Sequence, residues 1–250
     1  MSETQIERIR KALASGTLQI VDTPLLTVIE RGELPRNIWR LFAEQRYLAS
    51  RNFEALLEAG VKKSRACGYE QLAKALEENL ADERGVDEHG DKRPFGSHEQ
   101  WRRDYYNALG INNEMLARTQ PREGTKHYDD TLLGLTEKDA LVISGGLLLL
   151  ELSIPKEFEK IRKGRDTTFR EEFVILSSDD QEQRARKKKA SRYINDHIAH
   201  DAASHYPDLE NAVITYAREP LHVAHVIQGI QRIADAKEVF YRKLGEILLE

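Results

Sequence analysis

The chain has 250 residues, 40% of them hydrophobic and 32% charged, enough to bury one sizeable core and too apolar for a disordered segment. Thirty-eight Lys and Arg against 42 Asp and Glu leave a formal charge of -4, so no overall positive field gathers nucleic acid. The longest apolar run, Ala140 to Leu150, is far shorter than the roughly 20 residues a membrane-spanning helix needs, and a single cysteine excludes an internal disulfide or a four-thiolate metal site. The opening MSETQIERIRKALASG has no apolar signal core, so a cytoplasmic protein is expected.

The seven prolines and 15 glycines fall mainly between segments whose apolar residues recur every three or four positions, which predicts an all-α fold. Residues 1–250 read as one domain, with 1–20 an N-terminal extension or a first helix. Around Pro35, ELPRNIWRLFAEQRYLASRNFEALLEAG places Ile38, Leu41, Phe42, Leu48, Phe53, Leu56 and Leu57 on one broad side, with Gly60 as the expected stop. A second helix runs through YEQLAKALEENLADERG to Gly85. A third starts at Ser97, a hydroxyl cap with Gln100 as its capping-box partner, after the loop DEHGDKRPFG.

PREGTKHYDD reads as a loop, and Thr136 as the cap of a buried helix through TEKDALVISGGLLLLELSIPKEFEKIRKG, in which Gly145 and Gly146 imply close packing. The polar stretch Ser177 to Lys189 reads as a solvated loop or helix start, and its basic end, Arg186 to Lys189, as surface. Two further helical stretches, SRYINDHIAHDAASHYPDLENAVITYA and LHVAHVIQGIQRIADAKEVFYRKLGEIL, are divided at Glu219-Pro220.

Metal sites in helical bundles are written as carboxylates and imidazoles three or four positions apart. His197, Asp201 and His205 follow this rule at i, i+4 and i+8 and span an arc of about 80°. The alternative for each histidine is an ordinary hydrogen bond at a helix edge. Glu151 interrupts LLLLELSIP, where a carboxylate needs a metal or a partner such as Arg46 or Arg51. Glu83 alone reads as a surface acid, and His98 faces either inward near Trp101 or into solvent.

Glu83 in ENLADERG, His98 in HEQWRRDYYNALGI, Glu151 in LLLLELSIP, and His197 with Asp201 in HIAHDAASH together resemble the heme-oxygenase-like diiron oxidases. The resemblance covers most of the chain from about Thr23, including TPLLTVIERGELPRNIWRLFAEQRYLASRNFEALL and VIQGIQRIADAKEVFYRKL. It implies a bundle of about seven helices, in a group that includes the chlamydial death-domain-associated protein, alkene-forming fatty acid decarboxylases, amine N-oxygenases and amino-acid-cleaving lyases. It also implies two non-heme irons held by Glu83, His98, Glu151, His197, Asp201 and a histidine three residues after the aspartate. Ser204 occupies that last position here, one place before His205. Pro207 removes a backbone donor and favours a local bulge that would bring His205 into the site, with His200 as a competitor.

Three carboxylates and three imidazoles suit Fe(II), Mn(II) or Zn(II), and open positions on iron admit dioxygen. The expected activity is therefore a diiron oxidase or oxygenase acting on a small organic substrate with dioxygen, drawing on an external electron donor where needed, with a homodimer left open. Glu151 and Tyr105 are the expected catalytic residues, and Tyr47, Tyr105 and Tyr106 the expected pocket wall. Arg46, Arg51 and Lys62 are candidates to hold a substrate carboxylate. Heme oxygenase fits poorly because the first histidine, His89, lies far beyond the first helix, and thiaminase because the lone Cys67 sits at a helix junction. A cofactorless oxidase of the pyrroloquinoline quinone synthesis type and a non-catalytic interaction protein are the alternatives.

Overall fold

A computed structural model describes residues 4–86, 91–92, 97–200 and 205–249, apart from the side chain of His200. Asp201 and Ser204 lie outside the described residues. The described chain is helical, in the order α1 Gln5–Val21, α2 Pro24–Glu30, α3 Arg36–Ala49, α4 Phe53–Ala66, α5 Glu70–Arg84, α6 His98–Ala108, α7 Asn113–Arg118, α8 Glu123–Thr136, α9 Ala140–Thr168, α10 Arg170–Phe173, α11 Gln181–His200, α12 Tyr206–Tyr216 and α13 Pro220–Leu248. The expected all-α bundle is present, and short turns divide its helices into thirteen segments among the described residues. No strand occurs among the described residues, where one isolated bridge pairs Val86 with Lys92.

The first half of α9 is apolar on every side, so it can be stable in water only at the centre of the protein. Every residue from Ala140 to Glu151 is buried there, and α1, α2, α4, α11, α12 and α13 pack around it. The glycines set how closely α9 meets α13. A Cβ on Gly145 would lie 2.1 Å from the Val226 carbonyl oxygen, and one on Gly229 1.9 Å from that of Val142. One apolar cluster runs from Ile9 on α1 to Leu248 on α13.

Several local expectations change. The stripe after Pro35 is two helices, α3 and α4, separated at Ser50–Asn52. Gly60 lies inside α4, where a Cβ would come within 2.9 Å of Leu76, and the chain turns instead at Gly68, with φ +72°. PREGTKHYDD is helical from Glu123, because Gln45 accepts from the Arg122 amide and the Thr125 hydroxyl and so secures the start of α8. Thr136 ends α8, its hydroxyl donating back to Leu133 O. Asp139 caps α9 by accepting from the Leu141 and Val142 amides, and a carboxylate serves this role better at a positive helix end. Within the basic block, Lys187 is buried and donates to Asp179 and to Val174 O, so this lysine ties α11 to the preceding turn.

Candidate metal centre

Four elements and one connection supply the site. Helix α5 stops at Gly85, whose φ of 66° a side chain would resist, and this leaves Glu83 in its last turn. Ser97 caps α6 by accepting from the Gln100 amide, which makes His98 its first residue, while the Gln100 side chain donates to Asp104 rather than closing a capping box. His197 projects from α11 and Glu151 from α9. His205 precedes α12, at a position of π-helical backbone.

Glu83, His98 and His197 converge, with one donor atom from each lying within 4.8 Å of the others. His98 Nδ1 stands 2.8 Å from Glu83 Oε1. The two imidazoles meet edge to face at 4.6 Å, and the His197 ring is held by Tyr193 at 4.9 Å and Phe158 at 5.2 Å. Burial works to raise the Glu83 pKa, but His98, His197 and Arg102 together outweigh it and hold the carboxyl below its ordinary range. Donors sharing one ion at about 2.1 Å stand roughly 3–3.5 Å apart, so side-chain rotations closing the trio by an ångström or so would let it share one ion.

A second group lies on the other side of the α5 terminus. Glu151 is 2% exposed, and its Oε1 accepts from Asn79 Nδ2 at 2.7 Å. His205 places Nδ1 3.6 Å from Glu151 Oε2 and Nε2 2.9 Å from Asp82 Oδ2. Two carboxylates therefore flank one imidazole, and the adjacent residues Asp82 and Glu83 face the two groups. The expected arginine partners of Glu151 are engaged elsewhere: Arg46 with Glu157, and Arg51 with Asp129.

Of the expected ligands, the structure brings Glu83, His98 and His197 together and sets Glu151 against His205. Asp82 and Asn79 join the second group, and the sequence reading left both unassigned. A cavity of about 100 Å³ opens beside Glu83, His98 and His197. Tyr105 does not line it. That ring sits one layer back, against Tyr106, Phe173 and Tyr193, with its pKa pushed up to about 12 by burial. Tyr47 and Tyr106 are likewise absent from the lining, which includes Tyr128, Tyr193 and Tyr241. Lys62 is exposed and outside the lining, whereas Arg46 and Arg51 contribute to it.

Comparison with known proteins adds the family. A family model described as iron-containing redox enzyme matches residues 40–238. The chain belongs to that family. Its fold is similar to that of a CADD-like protein of unknown function from Nostoc punctiforme PCC 73102, with a TM-score of 0.72 and 17% identity over 98% of this chain and 99% of that one. It is similar also to a TenA homolog from Pseudomonas syringae pv. tomato str. DC3000, with a TM-score of 0.73 and 13% identity over 96% of this chain and 92% of that one. No curated protein matches. The heme-oxygenase-like family expected from the sequence is thus the one found. Among the described residues, no single helix is long and apolar enough to cross a membrane.

Proposed function

We propose that this member of the iron-containing redox enzyme family is a two-iron oxidase that uses dioxygen to oxidise or cleave a small organic substrate. The reading rests on the convergence of Glu83, His98 and His197 at the wall of a cavity. In the proposal these three hold one iron. Glu151 and His205 hold the second, joined by Asp82 and by Asp201, which the family resemblance assigns to the site and which lies outside the described residues. Bound iron would supply the means to bind and reduce dioxygen.

The protein's own residues supply position and dryness. Asn79 fixes one oxygen of Glu151 and leaves the other directed at His205. Phe158 and Tyr193 lock the His197 ring and screen it from water. Leu150, Ile154 and Phe240 give the cavity an apolar wall in which an organic substrate can be held against the metal-bearing end.

Anaerobic reconstitution with ferrous iron tests the reading. Two irons per chain and oxygen consumption on exposure to air are expected. A folded protein that takes up no iron but still consumes oxygen would replace it with a cofactorless oxidase, and one that does neither would favour an interaction protein.

A further inference from the structure

Among the described residues that line the cavity, Arg51 and Glu54 alone are exposed, and both stand at the break between α3 and α4. Glu99 and Arg102, from the first turns of α6, also line it and are half-buried. The wall supplied by α9 and α13 is tied together instead. Lys237 and Tyr241, one turn apart on α13, both donate to the buried Glu157, and Arg46 donates to Tyr241 at 2.9 Å. The way in from solvent therefore lies between the start of α6 and the α3–α4 turn.

Side chains span that gap. Helix α6 packs against α11, whereas its contacts with α3 are made by side chains. At the far end Arg40 donates to Leu109 O at 2.9 Å, and further along the Tyr47 and Tyr106 rings meet edge to face at 5.3 Å. Nearest the mouth, Arg102 reaches across. The turn itself is fixed to α8, because Arg51 and Asn52 both donate to Asp129, at 3.2 and 2.6 Å.

Arg102 stands one turn past His98. Its Nε donates to Glu99 at 2.9 Å and its Nη2 to the same carboxylate, so one edge of the guanidinium is held by its own helix. Nη1 crosses the gap and donates to Ser50 Oγ at 2.8 Å, while the guanidinium lies over the Tyr47 ring at 4.8 Å. Ser50 donates its own proton to Tyr47 O at 3.0 Å, which leaves its lone pairs for Arg102. A planar cation gripped on both edges is a rigid tie, yet the part that crosses the gap is one hydrogen bond and one ring contact. Releasing it separates the start of α6 from the turn without exposing the apolar core.

We propose that Arg102 is a strap across the mouth of the cavity, and that its release from Ser50 opens the path from solvent to His98 and His197. The Tyr47–Tyr106 contact and the Arg40 tie stay in place and act as the hinge. The strap belongs to the chain alone and needs neither iron nor substrate, so it stands apart from the oxidase reading.

The experiment is carbethoxylation of the metal-free protein with diethyl pyrocarbonate in mildly alkaline buffer, followed at each histidine by peptide mass spectrometry. The exposed His127 is the internal standard. If the reagent reaches His98 and His197 only through opened molecules, their rates follow the open population. Ser50→Ala removes the crossing hydrogen bond and leaves the charges of the wall untouched, so both rings should react roughly ten-fold faster, the worth of a bond to a charged donor. Arg102→Met should do the same, and Ser50→Thr, which keeps the hydroxyl, should react as slowly as wild type. His127 should not change. Arg40→Met cuts the tie at the far end of the same two helices and should leave His98 at its wild-type rate. Equal rates at His98 and His197 in wild type and Ser50→Ala, absence of reaction at both rings in every variant, or an acceleration in Arg40→Met as large as that in Arg102→Met would overturn the inference.

Discussion

Asp82 Oδ2 stands 2.9 Å from His205 Nε2, across 123 positions of chain, and the other nitrogen of that ring faces Glu151. An imidazole between two carboxylates can be a metal ligand held by its partners or a hydrogen-bonded structural histidine, and the proposed function takes the first. The neighbouring Glu83 turns to the first group. Asp82→Asn is therefore expected to weaken iron at the second position by ten- to a hundred-fold, roughly the cost of losing a ligand-orienting group, while the first keeps its iron. Ferrous titration of the anaerobic variant checks this, and two irons bound with wild-type affinity would remove Asp82 from the site.

Glu151 carries the second prediction. Asn79 and His205 are its neighbours, so Glu151→Ala leaves the buried Asn79 amide without its acceptor, at a cost of about 1–3 kcal/mol. The surrounding α9 packing is apolar and helical without it. The variant should therefore keep its circular dichroism spectrum but fail to bind two irons. Retention of both would show that Glu151 has only a structural role.

How far these features could be read from sequence depends on whether the signal is local. The all-α class, the buried helix around Gly145 and Gly146, and the break at Pro220 follow from periodicity and turn chemistry within single segments. Glu151 was legible because a carboxylate in an apolar run requires an explanation. Lys237 and Glu157 carried the same signal in weaker form. Lys237 stands in register with Ile230, Ile233, Ala234 and Tyr241 on the buried stripe of α13, and Glu157 is one turn from Ile154 and Ile161. Each reads as a surface charge until the facing helix is known, and so the quartet with Arg46 and Tyr241 was missed. Asp82 failed for another reason. It adjoins Glu83 on the last turn of α5, and only the path of the chain at His205 distinguishes it from the other acids there. Tyr105 was misplaced by one layer because helical spacing does not tell a cavity wall from the core behind it.

Glu157 supplies a prediction in stability and its dependence on pH. Burial tends to raise its pKa, but Lys237, Arg46 and Tyr241 outweigh that and hold it below the ordinary value of 4.5. A carboxyl with a lowered folded-state pKa binds fewer protons folded than unfolded, so its contribution is complete well above pH 4.5 and is lost as pH falls through the folded-state value. Glu157→Gln leaves the buried Lys237 and the half-buried Arg46 without a carboxylate and should cost about 3–5 kcal/mol at neutral pH. Urea midpoints measured from pH 7 downward should converge for the two proteins in acid. A gap that stays constant through that range would mean that Glu157 is not ionised in the folded protein.

Gly145 tests the packing that holds the site together. Helix α9 carries Glu151 and Glu157, and α13 carries Lys237 and Tyr241, so the separation of these two helices sets the width of the cavity between them. A Cβ at Gly145 would fall 2.1 Å from the Val226 carbonyl oxygen, a contact with backbone that no side-chain rotation relieves. Gly145→Ala must then push α13 away, and overpacking on this scale costs about 3 kcal/mol or more. By contrast, Gly134 has nothing within 4 Å of an added Cβ, so Gly134→Ala should be neutral or slightly stabilising through its helix propensity. Thermal melts should place Gly145→Ala well below wild type and Gly134→Ala at or slightly above it. Equal melting temperatures for Gly145→Ala and wild type would mean that α13 is not seated against α9 as closely as its glycines imply.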